Sequence, residues 1–355
     1  MCRCCTRNSD GRMMMMGKRL FAAAALLLLA LPVLLAPWGL DMRSYRSDTL
    51  TASFAEDPAG FLADRLALRN AAITLRSRLL GLIGESGSEQ VIRGREGFLY
   101  FQPTIADHQG TAPLTAEERS ALAAKLAALR DELASQGRGL IVLIAPDKCA
   151  VYPEYMPAHI LPAGEDGLQR LNADLRDAGL TVLDAQALLT ARKQEGLMYF
   201  RGDSHWNARG ARLVYQELMR LTGTADAPSY DDAPLLADTA GDLLLLCQPG
   251  TPPTEPDAAP QIERVYRASP PMRTVDDARI RTTSPTTDLS LLVIRDSFGR
   301  ALFPYLANTA GRMTFSRSDT DVPSQAASAH ADWVIIEIVQ RNLRDWLKSG
   351  SLLPE

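Results

Sequence analysis

The ten residues LSLLVIRDSF, Leu289–Phe298, carry the strongest indication of a fold class in this chain. Their apolar run is typical of a strand that is buried on both faces of a sheet. The run ends at Arg295, and Asp296-Ser297 then forms a turn into a predicted helix. A buried strand that passes directly into a helix predicts an α/β fold with a mostly parallel sheet.

The same pattern recurs along the chain. Three more apolar runs predict buried strands: GLIVLIAP (139–146), LTVLDA (180–185) and DWVIIEIVQRN (332–342). Thr115 and Glu118 form a capping box for a helix that runs to about Gln136. Asn207 is positioned to cap another helix, Ala208 to Thr222. Helices that alternate with such strands predict three layers, α/β/α.

Two stretches depart from this alternation. VIRGREGFLYF, residues 91–101, predicts a hairpin around a Gly-containing turn. Residues 248–289 are predicted as an excursion within the domain, and the Pro-rich QPGTPPTEPDAAP at its start predicts a loop. Within the excursion, QIERVYRA (261–268) alternates in polarity, which is typical of an edge strand.

The N-terminal region contains a membrane signal. Leu20–Ala36 is uncharged and apolar, at the short end of the length that spans a bilayer. Lys18 and Arg19 immediately before it predict a cytoplasmic N-terminus and an outward-facing remainder. A cleaved signal peptide is the alternative. Cleavage after Ala36 would place Leu34 at the −3 position, where a small residue is needed, so an uncleaved anchor is favoured.

These patterns divide the chain into four predicted segments. They are a cytoplasmic N-terminus (1–19), a transmembrane signal anchor (20–40), a membrane-proximal helical linker (41–90) and an α/β domain (91–355) with the excursion 248–289. A start at one of Met13–Met16 would shorten the first. Beyond the anchor only Cys149 and Cys247 occur, which allow one disulfide whose formation the sequence leaves open.

Charge excludes one class of partner. The 355 residues include 38 basic and 42 acidic ones, a net charge of −4, without the basic stripe that binds nucleic acid. The chain has four His, three of which have neighbours typical of surface loops: His108, His159 and His330.

The fourth, His205, lies in YFRGDSHWN, residues 199–207. Asp203 is close enough in sequence to hydrogen-bond the imidazole and fix its tautomer. The predicted helix after Asn207 places a positive helix end near the ring, which favours a neutral base. A polar turn with an N-cap is the alternative interpretation. A metal site is not indicated, because no other His or Cys has suitable spacing.

A nucleophile for this base is available in the opening stretch. Ser297 follows a predicted buried strand, at the edge where open α/β folds place their sites. Its own N–H at a helix start can donate to an oxyanion. A plain helix N-cap is the alternative. Together, Ser297, His205 and Asp203 predict a Ser-His-Asp site.

These motifs resemble a known family. RDSFG (295–299) resembles the G-D-S block of SGNH hydrolases, and DSHW (203–206) resembles the D-x-H-W signature of the alginate O-acetyltransferase AlgJ/AlgX-like group. That group has a circularly permuted SGNH fold with the Asp/His block first, the order seen here. Supporting similarities extend from about Phe61 to Arg344: GFLADRLALRN, VIRGREGFLYF, APDKCAVYPEYMP and VIIEIVQRNL.

The resemblance implies roles for three residues. Ser297 would be the nucleophile, His205 the base and Asp203 its orienting acid. Arg295 departs from the family pattern, because it stands where the family has a Gly before Asp-Ser. Such a cation would either steer an anionic glycan or crowd the turn.

Other residues are secondary candidates. Arg341 and Asn342 lie where SGNH enzymes place an Asn-containing block, so they are candidate oxyanion or substrate contacts, or else a surface pair. Lys148, Tyr152 and Tyr155 either line a substrate groove or are packing and solvated residues.

The resemblance implies an outward-facing, periplasmic enzyme that transfers O-acetyl groups to an exopolysaccharide such as alginate. It implies no bound cofactor and an acetyl donor supplied by an integral-membrane O-acyltransferase, alongside other polysaccharide biosynthesis and secretion proteins. A carbohydrate acetylesterase with the same triad is one alternative. A non-catalytic scaffold or glycan-binding subunit of a secretion complex is another.

Overall fold

The computed structural model describes residues 69–230, 236–239, 241–249, 255–258 and 262–349. The predicted segments 1–19 and 20–40, and the first part of 41–90, lie outside the described residues. Within the described ranges, no helix combines the length and apolar character needed to cross a membrane. The chain divides into two compact units, one made of 1–88 and 245–252, the other of 89–244 and 253–355.

The described residues form eleven α-helices: α1 (Arg69–Gly81), α2 (Ile105–His108), α3 (Ala116–Ser135), α4 (Lys148–Val151), α5 (Gly167–Asp177), α6 (Ala185–Arg192), α7 (Ala208–Thr222), α8 (Asp242–Cys247), α9 (Phe303–Thr309), α10 (Val322–Ala329) and α11 (Leu343–Ser349). They also form eleven strands: β1 (Val91–Arg93), β2 (Leu99–Phe101), β3 (Gly139–Ala145), β4 (Thr181–Leu183), β5 (Leu236–Thr239), β6 (Glu255–Ala258), β7 (Arg267–Ala268), β8 (Arg279–Thr283), β9 (Ser290–Ile294), β10 (Arg312–Ser316) and β11 (Trp333–Val339).

A seven-stranded sheet organises the larger unit, in the order β4-β3-β11-β9-β10-β8-β7. The strands from β4 to β10 in this order pair in parallel, whereas β8 is antiparallel to β10 and to β7. The strand of the opening stretch, β9, is the central one. Because parallel strands end at one edge, the segments that follow β3, β9 and β11 share that edge.

Both faces of the sheet are buried, as its apolar strands predict. In β9, Leu291 and Val293 belong to the core on one face, whereas Leu292 and Ile294 belong to the core on the other. Helices α6, α7 and α9 contribute to the first core, and α3, α5, α10 and α11 to the second. The predicted α/β/α layering is therefore confirmed, with a mixed sheet.

Local signals place several elements correctly. Thr115 and Glu118 form both hydrogen bonds of the capping box that starts α3. The Asn207 side chain accepts from the N–H of Gly210, and Gly223 ends α7 in the left-handed conformation that suits glycine. The predicted hairpin is present as the antiparallel pair β1 and β2.

The loop predicted for QPGTPPTEPDAAP, residues 248–260, is interrupted by β6, which pairs antiparallel with β5. The rest of the excursion 248–289 also contains strands. Strands β7 and β8 lie in this stretch and extend the sheet by two antiparallel strands. The edge position of β7, within 261–268, agrees with the prediction for QIERVYRA. Strand β8 was missed because Ile280 and Thr282 are its buried positions among exposed Arg and Thr residues, which is a weak apolar signal.

In the smaller unit, α1 lies within the predicted linker 41–90. Thr74 Oγ1 donates to the carbonyl of Pro249 at 2.8 Å, and Ser77 Oγ donates to that of Ser86 at 2.6 Å. Cys149 and Cys247 are both buried free thiols, so no disulfide forms between them in this structure.

Candidate active site

The structure brings Ser297 and His205 together, although 92 residues separate them. Ser297 lies in the turn between β9 and the 3-10 helix Phe298–Ala301, and His205 lies in the loop before α7. His205 Nε2 is 2.8 Å from Ser297 Oγ. Both side chains belong to partly exposed residues, so a small molecule can reach them. The 2.8 Å between Nε2 and Oγ is a hydrogen-bonding distance, at which a base can take a proton from a hydroxyl.

Asp203 completes a line of three side chains. Its Oδ1 is 2.7 Å from His205 Nδ1 and also accepts the backbone N–H of His205 at 2.9 Å. One carboxylate oxygen therefore holds both the ring and the backbone of His205. With Nδ1 carrying a hydrogen toward Asp203, Nε2 is left as the acceptor that faces Ser297.

Asp203 is negatively charged at neutral pH. Burial alone would raise its pKa, but the hydrogen bond and charge of His205, with backbone N–H donors of Asp242 and His205, hold its pKa below the ordinary value. A carboxylate held ionised beside Nδ1 stabilises the positive charge that the ring acquires when it takes a proton.

Aromatic packing joins the two motifs. Trp206 Nε1 donates to the carbonyl of Phe298 at 2.9 Å, and the two rings meet edge to face. The His205 ring lies 4.7 Å from the Phe298 ring, centroid to centroid. Trp206, which is fully buried, thus connects the loop of His205 to the turn of Ser297.

Lys148 holds the loop that contains Asp203 and His205 through hydrogen bonds to its backbone. Its buried ammonium donates to the carbonyls of Phe200, Arg201 and Asp203 at 3.1, 2.8 and 2.7 Å. Burial lowers the pKa of Lys148 to about 8, an effect that neighbouring carboxylates oppose. The expectation that Lys148 lines a substrate groove is not met, because all three donors point into backbone carbonyls.

Two other expected substrate contacts also face the interior. The side chain of Arg295 has no exposed surface and lies over the Phe315 ring at 4.8 Å. It therefore cannot contact a glycan in this structure. Its side chain packs beside Gly299, where an added Cβ would lie 2.8 Å from the Cβ of Arg295. Tyr152 is buried, and its hydroxyl accepts the N–H of Met198 at 2.8 Å. Tyr155 stacks on Phe98.

Asp296 links the nucleophile turn to the segment after β11. Its Oδ1 accepts the N–H of Phe298 at 2.9 Å, and its Oδ2 accepts the N–H of Val339 at 2.7 Å. Asn342 Nδ2 donates to the same Oδ2 at 3.4 Å. Arg341 instead pairs with the buried Asp147 at 2.8 Å. Of the two side chains, Asn342 is therefore the one that is hydrogen-bonded to the turn that carries Ser297.

A residue that no motif indicated, Asp242, completes the surroundings of the base. Its Oδ2 lies 3.5 Å from His205 Nδ1, and its N–H donates to Asp203 Oδ2 at 2.9 Å. Burial, then the charge of Asp203, raise the pKa of Asp242. The sequence gives no signal for it beyond an acidic residue before an apolar helix.

Asp203, His205 and Asp242 also present three ligand atoms within 4.8 Å of one another, which is close enough for a metal ion. The donors are already engaged, however. Asp203 accepts three N–H groups, and both Asp242 oxygens accept from Ser204. A metal would have to displace these bonds, so the donor set fits a hydrogen-bonded base better than a metal centre.

Comparison with known proteins identifies the family of this chain. A family model described as the SGNH hydrolase-like domain of acetyltransferase AlgX matches residues 91–282, more than half of the chain. The chain belongs to this family. The match includes Asp203, His205 and Asp242 but ends before Ser297, so the nucleophile of the proposed site rests on the geometry described above.

Curated relatives include alginate proteins of Pseudomonas. The chain is 30% identical over 158 residues to the probable alginate O-acetylase AlgJ of Pseudomonas syringae pv. tomato, covering 44% of this chain and 39% of that protein. It is 36% identical over 115 residues to the alginate biosynthesis protein AlgX of Pseudomonas aeruginosa, covering 29% of this chain and 24% of that protein. The chain thus spans well under half the length of these relatives.

Two solved structures share the fold. A DHHW family protein from Eubacterium siraeum superposes with a TM-score of 0.55 at 13% identity, over 75% of this chain and 96% of the other. Bacillus cereus PatB1 superposes with a TM-score of 0.50 at 17% identity, over 71% and 96%. At these identities the likeness concerns the fold alone.

Proposed function

We propose that this protein is an O-acetyltransferase that transfers acetyl groups to hydroxyls of an exopolysaccharide, alginate-like in kind. The observation that carries the proposal is the line Asp203–His205–Ser297, with successive contacts of 2.7 and 2.8 Å. Family membership and the names of the AlgJ and AlgX relatives support acetyl transfer as the chemistry and a polysaccharide as the acceptor.

The reaction would proceed in two steps. Ser297 Oγ attacks the acetyl carbonyl carbon of a donor while its proton passes to His205 Nε2, and the departing donor group takes that proton. This leaves an acetyl ester on Ser297. A sugar hydroxyl then gives its proton to His205 and attacks the ester, and Ser297 recovers a proton as it leaves.

The oxyanion of each step needs hydrogen-bond donors. We assign the backbone N–H of Ser297 and the side-chain amide of Asn342 to this role. Asn342 Nδ2 carries two hydrogens, and the contact with Asp296 uses one of them. Asp296 would thereby hold the amide near the turn.

The acetyl donor is part of the proposal. We propose that an integral-membrane O-acyltransferase supplies the group, that other polysaccharide biosynthesis and secretion proteins accompany it, and that no cofactor is bound. The domain would act in the periplasm, held at the inner membrane by the segment 20–40. The basic pair Lys18-Arg19 supports this orientation.

Trapping of the acetyl-enzyme tests the function. After incubation with a chromogenic acetyl ester, intact mass spectrometry is expected to show one added acetyl group, and peptide mapping is expected to place it on Ser297. Ser135→Ala, which alters an exposed serine at the end of α3, is the control and should label normally. An acetyl group found only on other residues contradicts the proposal.

Addition of acceptor separates the alternatives. With mannuronate or other polysaccharide-derived oligosaccharides present, the acetyl group is expected to pass from Ser297 to the sugar, detected as acetylated oligosaccharide. Transfer only to water favours the esterase. Absence of any adduct, combined with measurable oligosaccharide binding, favours the scaffold or glycan-binding subunit.

Topology has its own test. A reporter enzyme that works only outside the cytoplasmic membrane, fused after Glu355, is expected to be active in cells. It should remain with the membrane fraction if 20–40 is an anchor. A reporter active only in the cytoplasm contradicts export, and a mature N-terminus near Ala36 in the soluble fraction indicates a cleaved signal instead.

A further inference from the structure

The segment 241–244 lies directly on the loop that carries the proposed base. The N–H of Leu244 donates to the carbonyl of Gly202 at 2.9 Å. A Cβ atom on Gly241 would lie 2.1 Å from that same carbonyl oxygen and 2.7 Å from the N of Asp203. Only glycine permits this approach, so the backbone contact depends on residue 241 having no side chain.

Asp242 uses this closeness to make reciprocal hydrogen bonds. Its N–H donates to Asp203 Oδ2 at 2.9 Å. In return, Ser204 donates its N–H to Asp242 Oδ1 at 2.7 Å and its hydroxyl to Asp242 Oδ2 at 2.6 Å. Asp242 therefore fixes Asp203 and Ser204 directly, and through Ser204 it restrains the adjacent His205.

Asp242 also adds charge at the ring. Its Oδ2 is 3.5 Å from His205 Nδ1, on the side that already has Asp203 Oδ1 at 2.7 Å. Only 27% of the Asp242 side chain is exposed, so water screens this charge in part. The carboxylates of Asp203 and Asp242 therefore both lie beside Nδ1, whereas the other ring nitrogen, Nε2, faces Ser297.

We propose that Asp242 is a positioning residue, which keeps Asp203 and His205 aligned with Ser297 and stabilises the imidazolium formed when Ser297 loses its proton. The proposal rests on the proposed function only in taking Ser297 as nucleophile and His205 as base. It does not depend on the acetyl donor or the acceptor.

The charges around Asp242 come from several elements. Asp203 and His205 belong to the loop before α7. Lys148 belongs to α4, and Arg341 to the segment after β11. Burial and Asp203 favour the neutral form of Asp242, whereas His205 and the bonds from Ser204 favour the ionised form. The positive charge on the ring and the negative charge on Asp242 therefore favour each other.

Covalent labelling of Ser297 by a sulfonyl fluoride tests this directly. Ser297 Oγ bonds to sulfur, fluoride leaves and the Oγ proton passes to His205, so the maximal labelling rate reports on the base. Asp242→Asn keeps the shape and the backbone N–H but removes the charge. The maximal rate is expected to fall by about tenfold, the worth of one interaction with a charged group, with the reagent's KI unchanged.

The control is Asp131→Asn, which changes an exposed Asp on α3 and should label at the wild-type rate. Gly241→Ala provides a second approach, because it keeps the Asp242 carboxylate but pushes the segment away. It too should lower the maximal rate by about tenfold. Gly164→Ala is its control, since a Cβ there meets no atom within 4 Å.

Unchanged maximal rates in folded Asp242→Asn and Gly241→Ala would overturn the proposal, as would a lowered melting temperature with no change in rate. If Asp242→Asn does not fold, the comparison of Gly241→Ala with Gly164→Ala decides. If labelling slows as expected but the wild type transfers no acetyl group from any donor, Asp242 keeps its positioning role and the proposed acetyl transfer fails.

Discussion

Ser297→Ala is expected to lower the turnover of a chromogenic acetyl ester by about 10⁴-fold or more, because removal of a nucleophile leaves the base nothing to activate. His205→Ala should have a similar effect, since the hydroxyl without its base is a poor nucleophile at neutral pH. The measurement is kcat/KM by absorbance, with circular dichroism and thermal unfolding to show that each variant folds.

The double variant gives the sharper result. The 2.8 Å contact between His205 Nε2 and Ser297 Oγ makes the two residues one functional unit, so their losses should not add. The Ser297→Ala/His205→Ala protein is expected to be about as inactive as either single variant. Ser135→Ala should match the wild type.

Two outcomes would contradict this expectation. A folded Ser297→Ala protein with wild-type turnover would remove Ser297 from the reaction. Losses that multiply in the double variant would show that His205 and Ser297 act in separate steps or at separate sites.

The fold was largely predictable from sequence because the central strands are buried on both faces. Strands such as β9 and β11 are then mainly apolar runs, and helices α3 and α7 carry strong N-caps at Thr115 and Asn207. Strand β8 lacks this signal, because it pairs at the antiparallel side of the sheet and alternates buried and exposed residues over only five positions.

The place of Ser297 was also predictable, since parallel strands bring their carboxyl ends to one edge. Asp203 and His205 lie in the loop before α7, and only the family resemblance indicated that they would meet Ser297. The side of the sheet to which the Arg295 side chain points could also be predicted from the alternation of residues along β9. Leu291 and Val293 face the core that contains Phe315, and a period of two extends this face to residue 295.

Sequence patterns could predict neither the structural role of Lys148, which was only named as a candidate, nor the presence of Asp242 at the site. The partners of Lys148 are backbone carbonyls, which any residue type provides. Asp242 meets Asp203 across 39 residues, and its contacts depend on the close approach at Gly241. Neither arrangement leaves a periodic or compositional trace.

Asp203→Asn is expected to cost about 10³–10⁴-fold in kcat although the side chain keeps its shape. Both carboxylate oxygens of Asp203 accept hydrogen bonds, Oδ1 from His205 and Oδ2 from the N–H of Asp242. An amide can offer an oxygen to only one of them. Its NH₂ group therefore opposes either the Asp242 N–H or the hydrogen on His205 Nδ1, and in the second case the ring adopts the wrong tautomer.

The lost charge adds to this effect. Because the pKa of Asp203 is depressed, its carboxylate is ionised at the pH of the assay, and asparagine cannot replace that charge beside the imidazolium. The turnover of the Asp203→Asn variant is compared with that of the control Asp131→Asn, and KM is expected to change little. Nitrogen-15 NMR of the His205 ring reports the tautomer. Turnover within about threefold of wild type, with the ring still protonated on Nδ1, would show that Asp203 does not orient the base.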